Sequence, residues 1–212
     1  EFGHALHQLL SNSTYPGVSG TSVPRDFVEL PSQIMEHWVF EPDVLKVYAK
    51  HYQTGEVIPT DLVEKLDKAS KFNTGFSTVE FLAAALLDME YHSLKEPVAL
   101  DIREFEKQAM DKYGLIPEIK PRYRSTYFSH SIGGGYAAGY YSYYWSEMLD
   151  ADAFQAFKET GDIFNREVAS KFENEILSKG GTRDPVKMYV AFRGKEPGID
   201  ALLINRGLKT GQ

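Results

Sequence analysis

Apolar residues in this chain recur mainly at spacings of three and four, and they alternate with polar residues in few places. The first spacing is that of one face of an α-helix, whereas alternation is typical of a half-buried β-strand. One clear helical run consists of Val79, Leu82, Ala83, Leu86 and Leu87. We therefore expect a mainly α fold with little or no β structure, built as one compact domain or as two helical lobes.

Turn and capping signals divide this pattern into separate helices. Ser77 with Glu80 is typical of a capping box, and Gly114 of a helix C-terminus. Six helices are expected in the first half, at about residues 1–12, 24–38, from 42, from 59, 77–94 and 101–113. Two or three shorter helices are expected to finish the chain, near residues 151–158 and 165–178.

Composition excludes several classes of partner. The 30 acidic residues outnumber the 23 basic ones, and a net charge of -7 offers no basic field for nucleic acid. No apolar run approaches the roughly 18 residues that a membrane span requires. The chain has no cysteine, which excludes disulfides and thiolate metal sites. Any transition metal must be held by His, Asp or Glu, and such a ligand set suits zinc.

The first residues contain half of a zinc-binding motif. In H-E-x-x-H, two histidines four residues apart project from one helix face, and the glutamate beside the first points toward the metal site. Glu1 and His4 match the E-x-x-H part, and the missing histidine would stand immediately before Glu1. Taken alone, this pair is common by chance and is more often a solvated helix start. We expect that the chain is truncated inside the motif.

Three further features indicate which kind of metal site the half-motif belongs to. His7 extends it, paired glycines follow the first helix, and residues 25–33 read R-D-F-V-E-L-P-S-Q. Together these features resemble the thimet oligopeptidase family of zinc metallopeptidases. Its members carry H-E-F-G-H-x-x-H and, 25 residues after the second histidine, a glutamate ligand within R-D-F-V-E-x-P-S-Q. The corresponding residue here is Glu29, and the resemblance extends over essentially the whole chain.

The resemblance implies a zincin-like catalytic lobe in which His4 and Glu29 bind zinc, one ion per active site in the full-length enzyme. The absent histidine would be the third ligand, and Glu1 the general base. Residues 1–212 would form the C-terminal part of the catalytic domain, with the missing N-terminal portion as a partner. For His7, packing or support of a ligand is favoured over ligation. Asp26 either orients a ligand imidazole or forms a surface ion pair.

A second unusual segment combines glycine with tyrosine. Seven of the 13 tyrosines lie between residues 123 and 144, beside three successive glycines at 133–135. Such glycines allow close approach to a ligand backbone, and no Lys-Ser/Thr follows them as in a phosphate loop. Tyr136, Tyr140 and Tyr143 recur at helical spacing, so that their hydroxyls would line one face. A buried stripe is the alternative, and it is favoured for the neighbouring tyrosines 141 and 144.

The family has a similar glycine–tyrosine pattern, in a loop that covers the bound peptide. The resemblance implies that Tyr136 and Tyr143 donate hydrogen bonds to substrate and to the developing oxyanion. It also implies substrate contact for His130 and Tyr140. Residues 136–143 are most similar to the peptidyl-dipeptidase branch.

The expected function is therefore zinc-dependent hydrolysis of short peptides with release of C-terminal dipeptides, in the cytoplasm by family default. The alternatives are an oligopeptide endopeptidase of the same family, and a non-catalytic helical fragment that lacks the first zinc histidine. We expect no nucleic-acid or membrane partner.

Overall fold

A computed structural model of the protein describes residues 1–96, 99 and 101–209. These residues form a mainly helical fold, which confirms the predicted class, and their only β feature is an isolated bridge between Lys50 and Val57. The α-helices are α1 (Phe2–Leu9), α2 (Leu30–Ile34), α3 (Pro42–Tyr48), α4 (Thr60–Ser70), α5 (Thr74–His92), α6 (Ile102–Lys112), α7 (Ser142–Lys158), α8 (Arg166–Phe172), α9 (Pro185–Arg193) and α10 (Asp200–Asn205). Shorter helical turns cover Pro16–Val18, Met35–Phe40, Ser125–Tyr127, Glu173–Leu177 and Gly180–Thr182. Within the part of the chain that the structure describes, each helix is too short or too polar to span a bilayer.

The chain divides into two compact units. The first unit comprises Glu1–Phe72 and Tyr144–Gln212, and the second comprises Asn73–Tyr143.

The core of the first unit is built largely from α2, α7, α8 and α9. Trp38 packs edge-on against Phe154 and Phe157, with ring centroids 4.6 and 4.9 Å away. Each large apolar side chain buried in this way contributes about 1.5–3 kcal/mol relative to an exposed one. The buried members are Phe27, Leu30, Ile34, Leu149, Ala153, Phe154, Phe157, Phe172, Ile176, Leu177, Met188, Tyr189 and Phe192.

The helix α1 is fixed at one side by α2 and at its end by a distant turn. It packs against α2 and against the Glu173–Leu177 segment. Beyond its last residue, the N–H of Asn12 donates to the carbonyl oxygen of Ser178 at 2.9 Å. The hydroxyl of Ser13 donates to the carbonyl oxygen of Lys179 at 3.4 Å. The chain leaving α1 is therefore held by residues near the end of the sequence.

The second unit is centred on the contact between α5 and α6. Its buried cluster is Ala83, Leu87, Ala109 and Met110. The Asp101 carboxylate caps α6 by accepting the N–H groups of residues 103 and 104 at 3.0 and 3.1 Å. The helix ends before Gly114, which has a φ of +69°. The predicted start and end of this helix are thus confirmed.

Several predicted helix boundaries were wrong. The helix expected from residue 24 begins at Leu30. Pro31, in its first turn, has no N–H to donate, and in a longer helix its ring would clash with the carbonyl of Phe27. The helix α5 begins at Thr74, so Ser77 lies inside it and donates to the carbonyl of Thr74 at 3.1 Å instead of capping it. No location was predicted for α9 or α10.

The tyrosine segment also differs from its expected form. Residues 136–141 form turns, so no helix runs through the first tyrosines. The helix α7 begins at Ser142, whereas a start near residue 151 was predicted. The backbone of Ala138 has a φ of +52°, which interrupts any helix through this point. Tyr136 and Tyr140 therefore lie in a loop in spite of their helical spacing, and Tyr143 is the second residue of α7.

Candidate active site

His4 and Glu29 lie side by side in the first unit. Nε2 of His4 on α1 is 3.0 Å from Oε2 of Glu29, the residue that precedes α2. The His4 side chain is 26% exposed and the Glu29 side chain 9%. Two ligands of one tetrahedral zinc ion, with bonds of about 2.0–2.2 Å, lie about 3.3 Å apart. The pair that the sequence analysis singled out is therefore close enough to share one metal ion.

Gly3 explains how α1 approaches so closely. A Cβ placed on this residue would lie 1.9 Å from the carbonyl oxygen of Pro31 and 2.6 Å from Cα of Ser32. Real Cβ atoms do not come this near to backbone, so only glycine fits. The close contact between Gly3 of the first motif and Pro31 of the second thus brings His4 near Glu29.

Ser32 holds the Glu29 carboxylate in place. Its hydroxyl lies 2.9 Å from Oε2 of Glu29 and 2.9 Å from the Glu29 carbonyl oxygen, and the residue is buried. Neither motif predicted a role for this serine. A serine three residues after a predicted ligand, in the first turn of a helix, is a signal that could have found it.

Glu1 occupies the N-cap position of α1 and is exposed. Its side chain makes no capping bond to α1, a helix that the structure describes in full. Its carbonyl accepts the N–H of Ala5 at 3.2 Å, which continues the helical pattern back to the first residue. Residues three apart on a helix share a face, so Glu1 lies on the side of α1 that carries His4. The assignment of Glu1 as general base stays a prediction.

The residues of this chain fit part of a zinc site. Among the described residues, no group of three or more His, Cys, Asp or Glu side chains is arranged to hold a metal ion. Nδ1 of His4 is buried and has no hydrogen-bond partner in that part of the chain. An imidazole nitrogen and a carboxylate oxygen are ordinary zinc donors. His4 and Glu29 thus supply two donors of a suitable kind, and a complete zinc site would need further donors beyond this pair.

His7 is fully buried one turn beyond His4. Burial, and then the positive charge that His4 can carry, lower the pKa of His7 to about 4, so it is neutral near pH 7. Neither ring nitrogen has a hydrogen-bond partner among the residues that the structure describes. This environment favours packing over a ligand role.

In the second unit, three predicted substrate residues form one aromatic cluster. The rings of Tyr136 and Tyr143 are stacked, with centroids 5.0 Å apart and an interplanar angle of 21°. The ring of His130 lies 6.1 Å from Tyr136 and 6.3 Å from Tyr143. All three residues are half-buried, so each is partly accessible.

Tyr140 lies deeper than the other three. It is 2% exposed, stacks on Phe81 at 4.7 Å and meets the ring of Phe128 edge-on at 4.8 Å. This burial favours the packing alternative for Tyr140, whose substrate contact stays a prediction.

The glycines of the segment let the loop fold tightly over itself. A Cβ on Gly134 would lie 2.4 Å from the carbonyl oxygen of Ser129 and 2.6 Å from that of His130. The N–H of Tyr136 donates to the same His130 carbonyl at 3.0 Å. The backbone fold therefore explains Gly134 without reference to a ligand, and it brings Tyr136 back beside His130.

The chain is similar to known proteins over nearly its whole length, which includes both groups of residues. The sequence profile of peptidase family M3 matches residues 1–208. The chain is 50% identical to a dipeptidyl carboxypeptidase of Salmonella typhimurium over 210 residues, which are 98% of this chain and 31% of that protein. It is 42% identical to oligopeptidase A of Escherichia coli over 211 residues, 99% of this chain and 31% of that protein. The chain thus spans less than a third of the length of these curated relatives.

Proposed function

Because the chain belongs to peptidase family M3, we propose that it forms part of the active site of a zinc-dependent peptidase that acts on short peptides. The observation that carries this proposal is the 3.0 Å separation between Nε2 of His4 and Oε2 of Glu29. The 50% identity to a dipeptidyl carboxypeptidase favours release of C-terminal dipeptides. Residues 1–212 are proposed to be the C-terminal part of the catalytic domain, and the cytoplasm its compartment.

His4 and Glu29 are proposed to hold one zinc ion, with a histidine that immediately precedes Glu1 in the full polypeptide as a third ligand. When bound, zinc supplies positive charge that polarises a peptide carbonyl and makes water more acidic. Ser32 keeps the Glu29 carboxylate turned toward His4 through its 2.9 Å contact. The chain's own contribution is therefore a fixed pair of donors.

Glu1 is proposed to move the proton. Its carboxylate would take a proton from the attacking water and return it to the amine that leaves. Glu1 is exposed at the N-terminus of α1, on the face that carries His4, and this position supports the role.

Tyr143 and Tyr136 are proposed to donate hydrogen bonds to the peptide, Tyr143 to the oxygen on which charge develops. A neutral phenol in that position stabilises the transition state more than the ground state. The stacking of the two rings at 5.0 Å supports the proposal, because it limits their orientations before substrate arrives. His130, beside both rings, is proposed to contact the substrate.

A second candidate activity is endopeptidase cleavage of oligopeptides, which the 42% identity to an oligopeptidase A favours. The two activities differ in whether the substrate needs a free C-terminal carboxylate. A non-catalytic role for residues 1–212 by themselves is the third reading, since the histidine proposed as third ligand is not among them. We expect the isolated chain to bind zinc weakly and to hydrolyse little.

Product mapping on the full-length protein tests the proposal. A peptide of about ten residues is incubated with a free or an amidated C-terminus, and the products are identified by mass spectrometry. Sequential loss of C-terminal dipeptides from the free peptide alone supports the peptidyl-dipeptidase, whereas internal cleavage of both peptides supports the endopeptidase. Cleavage must stop when a chelator removes zinc and must fall in the Glu1→Gln variant. Cleavage that persists under both conditions would refute the proposed chemistry.

A further inference from the structure

A single buried carboxylate holds both ends of the loop formed by residues 131–140, called here the glycine–tyrosine loop. Asp88, on α5, is fully buried inside the second unit. One oxygen, Oδ1, accepts the hydroxyl of Ser131 and the N–H of Ala138, the latter at 3.0 Å. The other oxygen, Oδ2, accepts the N–H of Tyr140 at 2.9 Å. The residues that enter and leave the loop thus meet at one side chain.

The residues between these anchors face solvent. Ser131 and Tyr140 are buried, whereas residues 132–138 are exposed apart from the half-buried Tyr136. The attachment closes the exposed segment into a ring whose two ends cannot separate while the Asp88 bonds last. Tyr136 lies within this ring and His130 immediately before it.

A buried carboxylate is costly unless donors surround it. Three donors bind the Asp88 carboxylate, the Ser131 hydroxyl and two loop N–H groups. Nδ1 of His92 lies 2.9 Å from Oδ1, but its hydrogen bond is to the backbone carbonyl of Asp88 at 2.8 Å. Because these three donors belong to the loop, loss of the loop conformation would leave the carboxylate poorly solvated. The same bonds stabilise the positive φ of +52° at Ala138, which a residue with a side chain rarely adopts. The carboxylate and the loop conformation therefore depend on each other.

We propose that Asp88 is a positioning residue for substrate binding, and that it acts by fixing the loop that presents His130 and Tyr136 beside Tyr143. It does not itself contact substrate, because it is buried beneath the loop. Its link to catalysis rests on the proposed peptidase function, whereas its link to the loop conformation can be measured without any activity.

The conformational test is hydrogen exchange followed by mass spectrometry on the full-length protein. The N–H of Ala138 donates to Asp88, so the protection of this amide from exchange reports on that bond. Asp88→Asn keeps the shape but replaces one acceptor with a donor, and exchange over residues 136–141 should become at least about tenfold faster. The control, Asp111→Asn, makes the same chemical change at a side chain that is 59% exposed in the same unit, and it should leave that exchange unchanged.

Ser131→Ala serves as a milder variant in case Asp88→Asn fails to fold. It removes one donor, leaves both amide bonds intact, and should accelerate exchange around residues 131–135 more than around 138–140. Unchanged exchange of the loop in both variants would overturn the proposal. Faster exchange spread equally over α5 and α6 would also overturn it, because it would indicate general destabilisation.

The catalytic test is a double-mutant cycle on the full-length enzyme. If Asp88 acts through the tyrosine cluster, Asp88→Asn should lower kcat/KM by at least about tenfold in the wild-type background and by much less in a Tyr136→Phe background. Equal losses in both backgrounds would contradict a positioning role. If the wild-type enzyme cleaves no peptide, the proposed function fails, and the exchange experiment still decides whether Asp88 fixes the loop.

Discussion

Substitution of Gly3 by alanine should separate the two proposed zinc ligands. The new Cβ would lie 1.9 Å from the carbonyl oxygen of Pro31, whereas ordinary contacts begin near 3.4 Å. Because the obstacle is backbone, no side-chain rotation relieves it, and α1 must move away from α2 by more than about 1 Å. Metal–ligand bonds tolerate only about 0.2 Å of error, and a displacement of 1 Å at a catalytic group can cost about 100-fold.

We therefore expect Gly3→Ala to weaken zinc binding by about 100-fold in the full-length protein. The zinc-free protein should lose about 1–3 kcal/mol of stability, the usual cost of overpacking. Zinc affinity is measured by competition with a chromophoric chelator, and stability by denaturant unfolding in excess chelator. Gly17→Ala is the matched control, since a Cβ there meets no atom within 4 Å. Wild-type affinity and stability in Gly3→Ala would refute the proposed contact between α1 and α2.

Three further substitutions test other parts of the molecule. Ser32→Ala should weaken zinc binding by about tenfold in chelator competition, because the Glu29 carboxylate loses its 2.9 Å hydroxyl contact; unchanged affinity would exclude an orienting role. Tyr143→Phe keeps the stacked ring and should lower kcat about 100- to 1000-fold with little change in KM; steady-state kinetics with unchanged kcat would contradict the oxyanion assignment. Burial raises the pKa of Asp150 to about 6 against the opposing hydrogen bond from His37, so the folded state binds more protons than the unfolded state between pH 4 and 6. The stability that this carboxyl contributes therefore falls as pH rises. Between pH 4 and pH 7, the free energy of unfolding of Asp150→Asn should rise by roughly 2–3 kcal/mol relative to that of the wild type. Denaturant unfolding in which the difference between the two proteins does not change with pH would refute this.

The sequence was informative wherever a short local pattern determines the geometry. Helical periodicity identified the fold class, and the bounds of α6 were predicted because its end at Gly114 is a local signal. The pairing of His4 with Glu29 followed from two motifs, although 25 residues separate them. The helix predicted from residue 24 failed for a reason that was also local, since Pro31 is visible in the sequence.

Other features depend on contacts that leave no pattern in the sequence. Asp88 contacts backbone N–H groups 50 and 52 residues away, and any residue type can supply such a donor. The tyrosines at 136, 140 and 143 have helical spacing, yet these long-range bonds and the backbone of Ala138 hold Tyr136 and Tyr140 in turns, and only Tyr143 lies in a helix. Here tertiary contacts override a local periodic signal.

The bonds from Asn12 and Ser13 to the turn at residues 178–179 have a consequence for biosynthesis. A ribosome adds these partners more than 160 residues after α1, the segment that carries His4. Contacts so distant along the chain close slowly, because a long loop must lose its freedom before they form. Within this chain, α1 and α2 are therefore made before the turn at residues 178–179, and the bonds from Asn12 and Ser13 form only after that turn has been made.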